Sequence, residues 1–263
     1  MKRLLISLIA ATTLAGCSTT PEPTTTPIPT WTPLPTFTPT AIPTPTAPPS
    51  PTAPATPAAP PTLTPRPLDS KLLELLSGFS VPIKGARLPT TDGVLPNAPR
   101  PYRYGVHEGI DFFSGDSGVL VVMGTEVVAA KDGTVIRADV NYQEPTKAQM
   151  DQYLAIAREK GFTPPDILDK LRGRQVWIRH EKDVVTRYVH LSGIASGITV
   201  GVAVQKGQLI AYVGNSGTPE AAEGTSDGPH LHFEIRIGDT YAGQGLTMLE
   251  TRLLYEKIFA NGR

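Results

Sequence analysis

Histidine is the residue type in this chain best suited to chemistry at neutral pH, and there are five histidines among the 263 residues. A neutral imidazole binds metals through a ring nitrogen, and its pKa lies close to physiological pH. Four of the five stand in short motifs with a second polar group: His107, His190, His230 and His232. These motifs predict a metal site with a proton-transferring group beside it.

The clearest motif is an H-x-H pair within residues 228–237, which read GPHLHFEIRI. Apolar and polar residues alternate, which predicts a β-strand in which side chains at i and i+2 share one face. One face would anchor the strand in the core through Leu231, Phe233, Ile235 and Ile237, and the other would carry His230, His232, Glu234 and Arg236. Two neighbouring imidazoles on one face suit a zinc ligand beside a general base.

His107 and Asp111 form a second pair, four positions apart in the chain. Residues i and i+4 of an extended chain share a face, so both side chains are expected on one side. Imidazole nitrogens and carboxylate oxygens are both normal zinc donors. His107, Asp111 and one of the 230/232 histidines would give three protein ligands and leave a fourth position open for water, as in catalytic zinc sites.

A third strand-like element is predicted at residues 188–191, which read YVHL. Tyr188 and His190 would share a face, and Val189 and Leu191 would point inward. Next to the other two motifs, His190 is a candidate donor to the oxyanion of a tetrahedral intermediate.

Three further polar residues are assigned supporting or structural roles. His180 lies in a predicted turn and is interpreted as structural. Glu108 and Glu234 could support the metal ligands by hydrogen bonding, although Glu234 could equally form a surface salt bridge.

Closely spaced hairpins are expected to position these residues. Strand-like runs flank three turn signals: 126–130 and 134–138, 175–179 and 184–189, and 201–204 and 208–213. Such a series predicts a mainly β domain with antiparallel, sandwich-like sheets.

Helices are expected at residues 68–79 and inside an insertion at residues 141–173. In the insertion, Thr146 and Gln149 fit a capping box and Gly161 fits a helix end, and a second short helix would use Thr163 and Asp166 as its capping pair. The insertion could be a decoration packed on the sheet or a lid beside the active groove.

Composition separates this folded part from the preceding chain. Eighteen of the 28 prolines fall within residues 21–67, where threonine is almost as common and large apolar residues are few. Such a segment cannot build a packed core and favours an extended polyproline II conformation. We therefore expect a disordered linker over residues 17–67, serving as a stalk or as a spacer with no length requirement, and one domain over residues 68–263, with its core at about 80–240.

Charge and cysteine content exclude other classes of protein. The formal net charge is zero, which argues against a dedicated nucleic-acid binder. The single cysteine, Cys17, excludes an intramolecular disulfide framework and a thiolate zinc cluster.

The chain begins with two basic residues and a short apolar run, a pattern typical of an export signal. Residues 14–17, LAGC, resemble the lipobox of bacterial lipoproteins. That resemblance implies that residues 1–16 are a signal peptide, that cleavage occurs before Cys17, and that the Cys17 thiol is acylated. The expected location is the extracytoplasmic cell envelope, with a lipid anchor in a membrane.

Together, the three motifs resemble the M23 zinc metallopeptidases, also called LytM or lysostaphin-type endopeptidases. The resemblance rests on H-x-x-x-D at 107–111, Y-x-H-L at 188–191, H-x-H at 230–232, and flanking stretches such as DGTV at 132–135 and GNSG at 214–217. It implies that His107, Asp111 and His232 bind Zn²⁺, that His230 is the general base, and that His190 stabilises the transition state. It also implies a peptidoglycan substrate, hydrolysed at stem or cross-bridge peptide bonds.

Two alternatives accompany this prediction. The protein could be a non-catalytic relative that binds the wall or activates other wall hydrolases, or an enzyme held inactive by residues 141–173. The complete set of five site residues favours the enzyme. The sequence identifies neither the bond cleaved nor a partner among wall hydrolases or division proteins.

Overall fold

The computed structural model describes residues 65–260, which form a mainly β structure with helices at its ends and in an insertion. The α-helices within this range are α1 (Ser70–Leu75), α2 (Lys147–Lys160), α3 (Pro165–Leu171), α4 (Pro219–Ala222) and α5 (Met248–Ala260). The strands are β1 (Pro99–Arg100), β2 (Gly105–Val106), β3 (Ile110–Phe112), β4 (Glu126–Val128), β5 (Gly133–Ala138), β6 (Val176–Arg179), β7 (Val184–Val189), β8 (Leu191–Ile194), β9 (Ala203–Val204), β10 (Leu209–Val213), β11 (Leu231–Ile237) and β12 (Thr240–Tyr241).

The strands build two main sheets and a small β1–β2 ribbon, and all of their pairings are antiparallel. The larger sheet has the order β12-β11-β7-β6-β5-β9, and β3 pairs with the free half of β11. The smaller sheet has the order β4-β10-β8. The predicted mainly antiparallel β fold is therefore confirmed.

Only the middle one of the three predicted hairpins is a hairpin. β6 and β7 pair directly, with Val176 opposite Tyr188 and Arg179 opposite Val185. The other two predictions are wrong in their partners: β4 pairs with β10 and β5 with β9, so each turn carries the chain from one sheet to the other. The two turns are joined to each other, because the backbone N–H of Lys206 donates to the Asp132 carboxylate at 2.6 Å. Pairing between these distant segments therefore replaces the local pairing that the Asp-Gly and Lys-Gly turn signals indicated.

One apolar cluster connects both sheets to the C-terminal helix. Fully buried side chains of the larger sheet, such as Phe233 and Ile178, join Ile210 of the smaller sheet and Tyr255 of α5 in this cluster. The apolar face of β11, the strand that carries the H-x-H motif, is thus packed into this core.

The insertion contains the two expected helices. Thr146 and Gln149 form the predicted capping box of α2, and Gly161 ends that helix with φ of 70°. The predicted capping pair of α3 is wrong, since Pro164 occupies the N-cap position and no side chain caps the helix. The Thr163 hydroxyl instead donates to the backbone carbonyl of Arg103, which attaches the insertion to the segment preceding β2.

The expected signal peptide, Cys17 and nearly all of the proline-rich segment lie outside the described residues. Within residues 65–260, no helix is both long enough and apolar enough to cross a membrane.

Candidate metal centre

Strands β3 and β11 bring the two principal motifs together. Asp111 of β3 lies directly opposite His232 of β11 in the antiparallel register, and directly opposed residues project from the same face. His107 precedes β3 and is held by backbone hydrogen bonds in both directions: its N–H donates to Ala98 and its carbonyl accepts from Asn97, each at 2.8 Å. Residues that are 125 positions apart in the chain thus meet at one point.

Three side-chain atoms converge in this place. The distance from His107 Nε2 to Asp111 Oδ1 is 2.9 Å, that from His107 Nε2 to His232 Nδ1 is 2.8 Å, and that from His232 Nδ1 to Asp111 Oδ1 is 2.8 Å. All three side chains are buried. The predicted ligand set is therefore assembled in a pocket largely screened from water.

The outer nitrogen of each ligand histidine faces an oxygen. His107 Nδ1 lies 3.1 Å from the Leu95 carbonyl, and His232 Nε2 lies 3.1 Å from Glu234 Oε1. Each outer nitrogen must donate its proton to that oxygen, so in the neutral rings the inner nitrogens carry lone pairs. Two lone pairs and a carboxylate oxygen then point at one another, an arrangement that a cation between them would stabilise. Nitrogen and oxygen donors of this kind fit zinc.

The pKa values of the two ligand histidines agree with a site for a cation. Burial lowers the pKa of His107 to about 4, so that ring is neutral at physiological pH. Burial also disfavours charge on His232, but Asp111 and Glu234 outweigh it and raise its pKa. A metal would therefore compete with protons for these ligand atoms.

His230 and His190 lie beside the three converging atoms without joining them. His230 Nε2 is 3.9 Å from Asp111 Oδ1, its Nδ1 is 2.8 Å from the Gly228 carbonyl, and its ring stacks on Phe113. His190 Nδ1 lies 2.7 Å from the Ser216 carbonyl, and the centroids of the two imidazoles are 4.8 Å apart. In each neutral ring Nδ1 donates, so Nε2 is the nitrogen left with a lone pair.

The predicted orientation of Tyr188 is wrong. Tyr188 is fully buried in the apolar core beside Phe233, and it is Val189 that lies opposite His232. His190 nevertheless reaches the site because its backbone is left-handed, with φ of 60°, which breaks the alternation of the strand. The predicted face is therefore wrong for Tyr188 and Val189, whereas Leu191 lies in the core as expected.

Glu234 is fully buried, so the surface salt bridge considered for it is excluded and its support of His232 is retained. Arg172, Arg187 and Arg236 all donate to its carboxylate. Arg100 similarly donates to Asp111 Oδ2 at 3.0 Å, which leaves Oδ1 for the converging atoms. Sequence reasoning missed the roles of Arg100 and Arg172, since a single arginine outside a motif carries no signal of its own.

His180 lies away from the centre. Its Nδ1 is 2.7 Å from the carbonyl of Asp132, just before β5, and its Nε2 is 2.8 Å from the hydroxyl of Thr186 on β7. These contacts agree with the structural interpretation of this histidine.

A cavity of about 500 Å³ opens onto His190 and His230, and the insertion forms part of its wall. Met150, Leu154 and Leu171 of the insertion line it together with one residue from each of the three histidine motifs. A larger cavity, of about 790 Å³, lies between residues 80–88 and the end of α5, and no histidine lines it. The insertion is thus part of the site's walls rather than a distant decoration.

Comparison with known proteins gives a family match. The sequence model described as peptidase family M23 matches residues 105–243, slightly more than half of the chain. An uncharacterized metalloprotease of Haemophilus influenzae is 33% identical over 131 residues, which cover 50% of this chain and 18% of that protein. A protein of Neisseria meningitidis named DD-carboxypeptidase/endopeptidase Mpg is 28% identical over 170 residues, covering 64% of this chain and 29% of that one. The chain thus spans less than a third of the length of either relative.

A crystal structure of a zinc-containing peptidase from Vibrio cholerae is 25% identical, with a TM-score of 0.40, over 63% of this chain and 38% of that one. At that TM-score the likeness adds no weight to the family match.

Proposed function

Because the chain belongs to peptidase family M23, we propose that it is a zinc-dependent endopeptidase that hydrolyses peptide bonds of peptidoglycan stems or cross-bridges. The observation that carries this proposal is the convergence of His107 Nε2, Asp111 Oδ1 and His232 Nδ1 within 2.9 Å of one another. The endopeptidase activity named for the Neisseria relative supports peptide-bond hydrolysis as the reaction.

His107, Asp111 and His232 would hold the metal. Bound zinc acts as a Lewis acid that polarises a carbonyl and lowers the pKa of water towards about 7. Glu234 and the Leu95 carbonyl keep the two ligand histidines in the tautomers that present lone pairs inward. Arg100 holds the second oxygen of Asp111 and so orients its carboxylate.

His230 would act as the general base through Nε2, since its Nδ1–H is engaged by the Gly228 carbonyl. Stacking on Phe113 keeps the ring in place while the proton is transferred. The proton taken from the attacking water would then pass to the amine of the leaving group.

His190 would stabilise the oxygen of the scissile carbonyl from Nε2. Because Nδ1 already donates to the Ser216 carbonyl, Nε2 can donate only when the ring is an imidazolium. Burial, together with the neighbouring His230 and His232, holds the pKa of His190 well below its ordinary value, so His190 would gain this proton only as negative charge develops on the carbonyl oxygen. The proton would come from solvent, since the one that His230 takes from the attacking water passes to the leaving amine.

The cell envelope is the proposed location. Acylation of Cys17 would anchor the chain to a membrane, and the proline-rich segment would let the enzyme reach the wall. At about 3.1 Å per residue, roughly 50 residues of polyproline II extend on the order of 150 Å.

The test measures zinc content and muropeptide release from isolated sacculi by the purified chain. His107→Ala should lose zinc and release together, because it removes a ligand. His230→Ala should keep zinc but release product about 10²–10⁴-fold more slowly, the usual contribution of a positioned acid–base group. His180→Gln is the matched control, since it removes a histidine outside the site.

Parental release rates in both His107→Ala and His230→Ala would refute the assignment. A parent chain that binds zinc but releases nothing from any sacculus would favour the non-catalytic regulator instead.

A further inference from the structure

Arg172 joins the inserted segment to the ligand shell of the candidate metal centre. It directly follows α3, and its side chain is buried although an insertion carries it. Its Nε donates to Glu234 Oε1 and its terminal nitrogen to Glu108 Oε2, each at 2.7 Å. One guanidinium thus connects two acidic residues of the site.

Glu234 passes this contact on to His232. The same oxygen, Oε1, accepts from Arg172 and lies 3.1 Å from His232 Nε2. The other oxygen, Oε2, accepts from Arg187 at 3.3 Å and from Arg236 at 3.2 Å. Arg172 is therefore the arginine that holds the carboxylate oxygen facing the histidine.

The backbone of Arg172 contacts His190. Its carbonyl accepts from the backbone N–H of His190 at 3.1 Å. The next residue, Gly173, packs directly against the carbonyl of Ser216, which in turn faces His190 Nδ1. The end of the insertion therefore touches the supports of both His232 and His190.

We propose that Arg172 is a positioning residue of the metal centre, and that residues 141–173 are through it an integral part of that centre. The inference deepens the proposed function and depends on it for the identity of the metal. It concerns binding of the metal, so it can be tested apart from peptide hydrolysis.

The effect of removing the Arg172 guanidinium depends on the contacts that remain around Glu234. Arg187 and Arg236 would still neutralise Glu234, so the carboxylate would stay charged and the chain would fold. Oε1 would be free to turn away from His232, whose ring would lose its orientation. Loss of such an outer partner weakens metal binding about 10–100-fold.

The experiment measures zinc affinity of the purified chain by competition with a chelating dye, together with thermal unfolding of the metal-free protein. Arg172→Met should weaken zinc binding about 10–100-fold. Arg158→Met makes the same chemical change on an exposed face of the insertion and should keep the parental affinity. Arg172→Lys keeps the charge but not the fork that reaches both carboxylates, so an intermediate affinity is expected.

A folded Arg172→Met protein with parental zinc affinity would overturn the inference. If that variant does not fold, Arg172→Lys decides: parental affinity overturns the proposal and reduced affinity supports it. A parent chain that binds zinc without hydrolysing peptides would contradict only the proposed function, and one that binds no zinc would contradict both.

Discussion

The hydroxyl of Tyr188 is a polar group buried within the apolar core. It accepts a hydrogen bond from the backbone N–H of Ala130 at 2.8 Å and another from the Thr186 hydroxyl at 3.2 Å. A catalytic role is thereby excluded for this oxygen, which lies on the core side of β7.

Tyr188→Phe should accordingly destabilise the fold without changing the metal centre. The Ala130 N–H would be left buried and unpaired, at a cost of about 1–3 kcal/mol in the free energy of unfolding. Urea denaturation and zinc titration measure the two effects. Tyr102→Phe, at a side chain that is 59% exposed, should change stability by less than about 0.5 kcal/mol. Equal stability of the parent and Tyr188→Phe would contradict the role assigned to the hydroxyl.

His180 should make stability depend on pH. Burial lowers its pKa in the folded chain, so below the unfolded-state value of about 6.5 the unfolded chain binds the proton more readily. The stability contributed by the neutral ring is fully present above that value and is lost as the pH falls towards the folded pKa.

His180→Gln should therefore lose less stability than the parent between about pH 7.5 and 5.5, either side of the unfolded value. Thermal unfolding at a series of pH values checks this difference. Parallel curves for the two proteins would show that the histidine is not held neutral by the fold.

At the scale of single residues, the sequence predicts correctly which face a side chain lies on where the strands are regular. His230 and His232 share a face because β11 keeps its alternation, and Asp111 faces them from a regular partner strand. The prediction fails for Tyr188, because the left-handed backbone of His190 reverses the alternation of side chains between them. Arg172 could not be foreseen, since its contacts depend on how an insertion folds back.

Among the elements, the insertion is docked through a glycine. Gly173 has φ of 65°, and a Cβ added there would collide with the backbone carbonyl of Ser216. Gly161, in the same insertion, has φ of 70° but no atom within 4 Å of an added Cβ. The two positions share the backbone conformation and differ in the space around them.

Gly161→Ala should therefore cost roughly 1–2 kcal/mol, the left-handed penalty alone, and keep the hydrolytic rate. Gly173→Ala should cost more and also slow hydrolysis, because it displaces the carbonyl that holds His190 Nδ1. Chemical denaturation and muropeptide release distinguish the two variants. Equal effects of both substitutions would mean that the insertion is not tightly docked.

Strand positions were largely predictable from apolar runs, whereas strand partners were not. Asp132-Gly133 and Lys206-Gly207 are local turn signals, and each was expected to close a hairpin. Both instead lie where the chain changes sheets, because β4 and β5 pair with β10 and β9, whose partner residues lie about 70–85 positions further along the chain. Short-range patterns carry no information about such long-range pairing.

At the scale of the whole molecule, the end of the proline-rich segment contacts the C-terminal helix. The proline-rich composition ends near residue 67, and Arg66 already donates to Glu250 of α5 through its backbone at 3.1 Å and its guanidinium at 2.9 Å. Within residues 65–260, contacts to α5 are therefore already made at the end of the proline-rich segment.

The proposed anchor makes a prediction for the intact protein in cells. Cys17→Ser should abolish incorporation of a labelled fatty acid, because the acylated thiol is absent, and Ser18→Ala should incorporate as much as the parent. Label retained by Cys17→Ser would place the lipid elsewhere or show that another group holds the chain to a membrane.

The chain passes from one sheet to the other at two turns, Asp132-Gly133 and Lys206-Gly207, and this has a consequence for unfolding. Each turn joins a strand of the smaller sheet to a strand of the larger sheet, and the strands on either side of the two turns pair with each other. Neither sheet can therefore open without disrupting pairing that continues into the other. We therefore expect a single cooperative transition, in which the strands of the candidate metal centre melt together with the small sheet rather than fraying ahead of it.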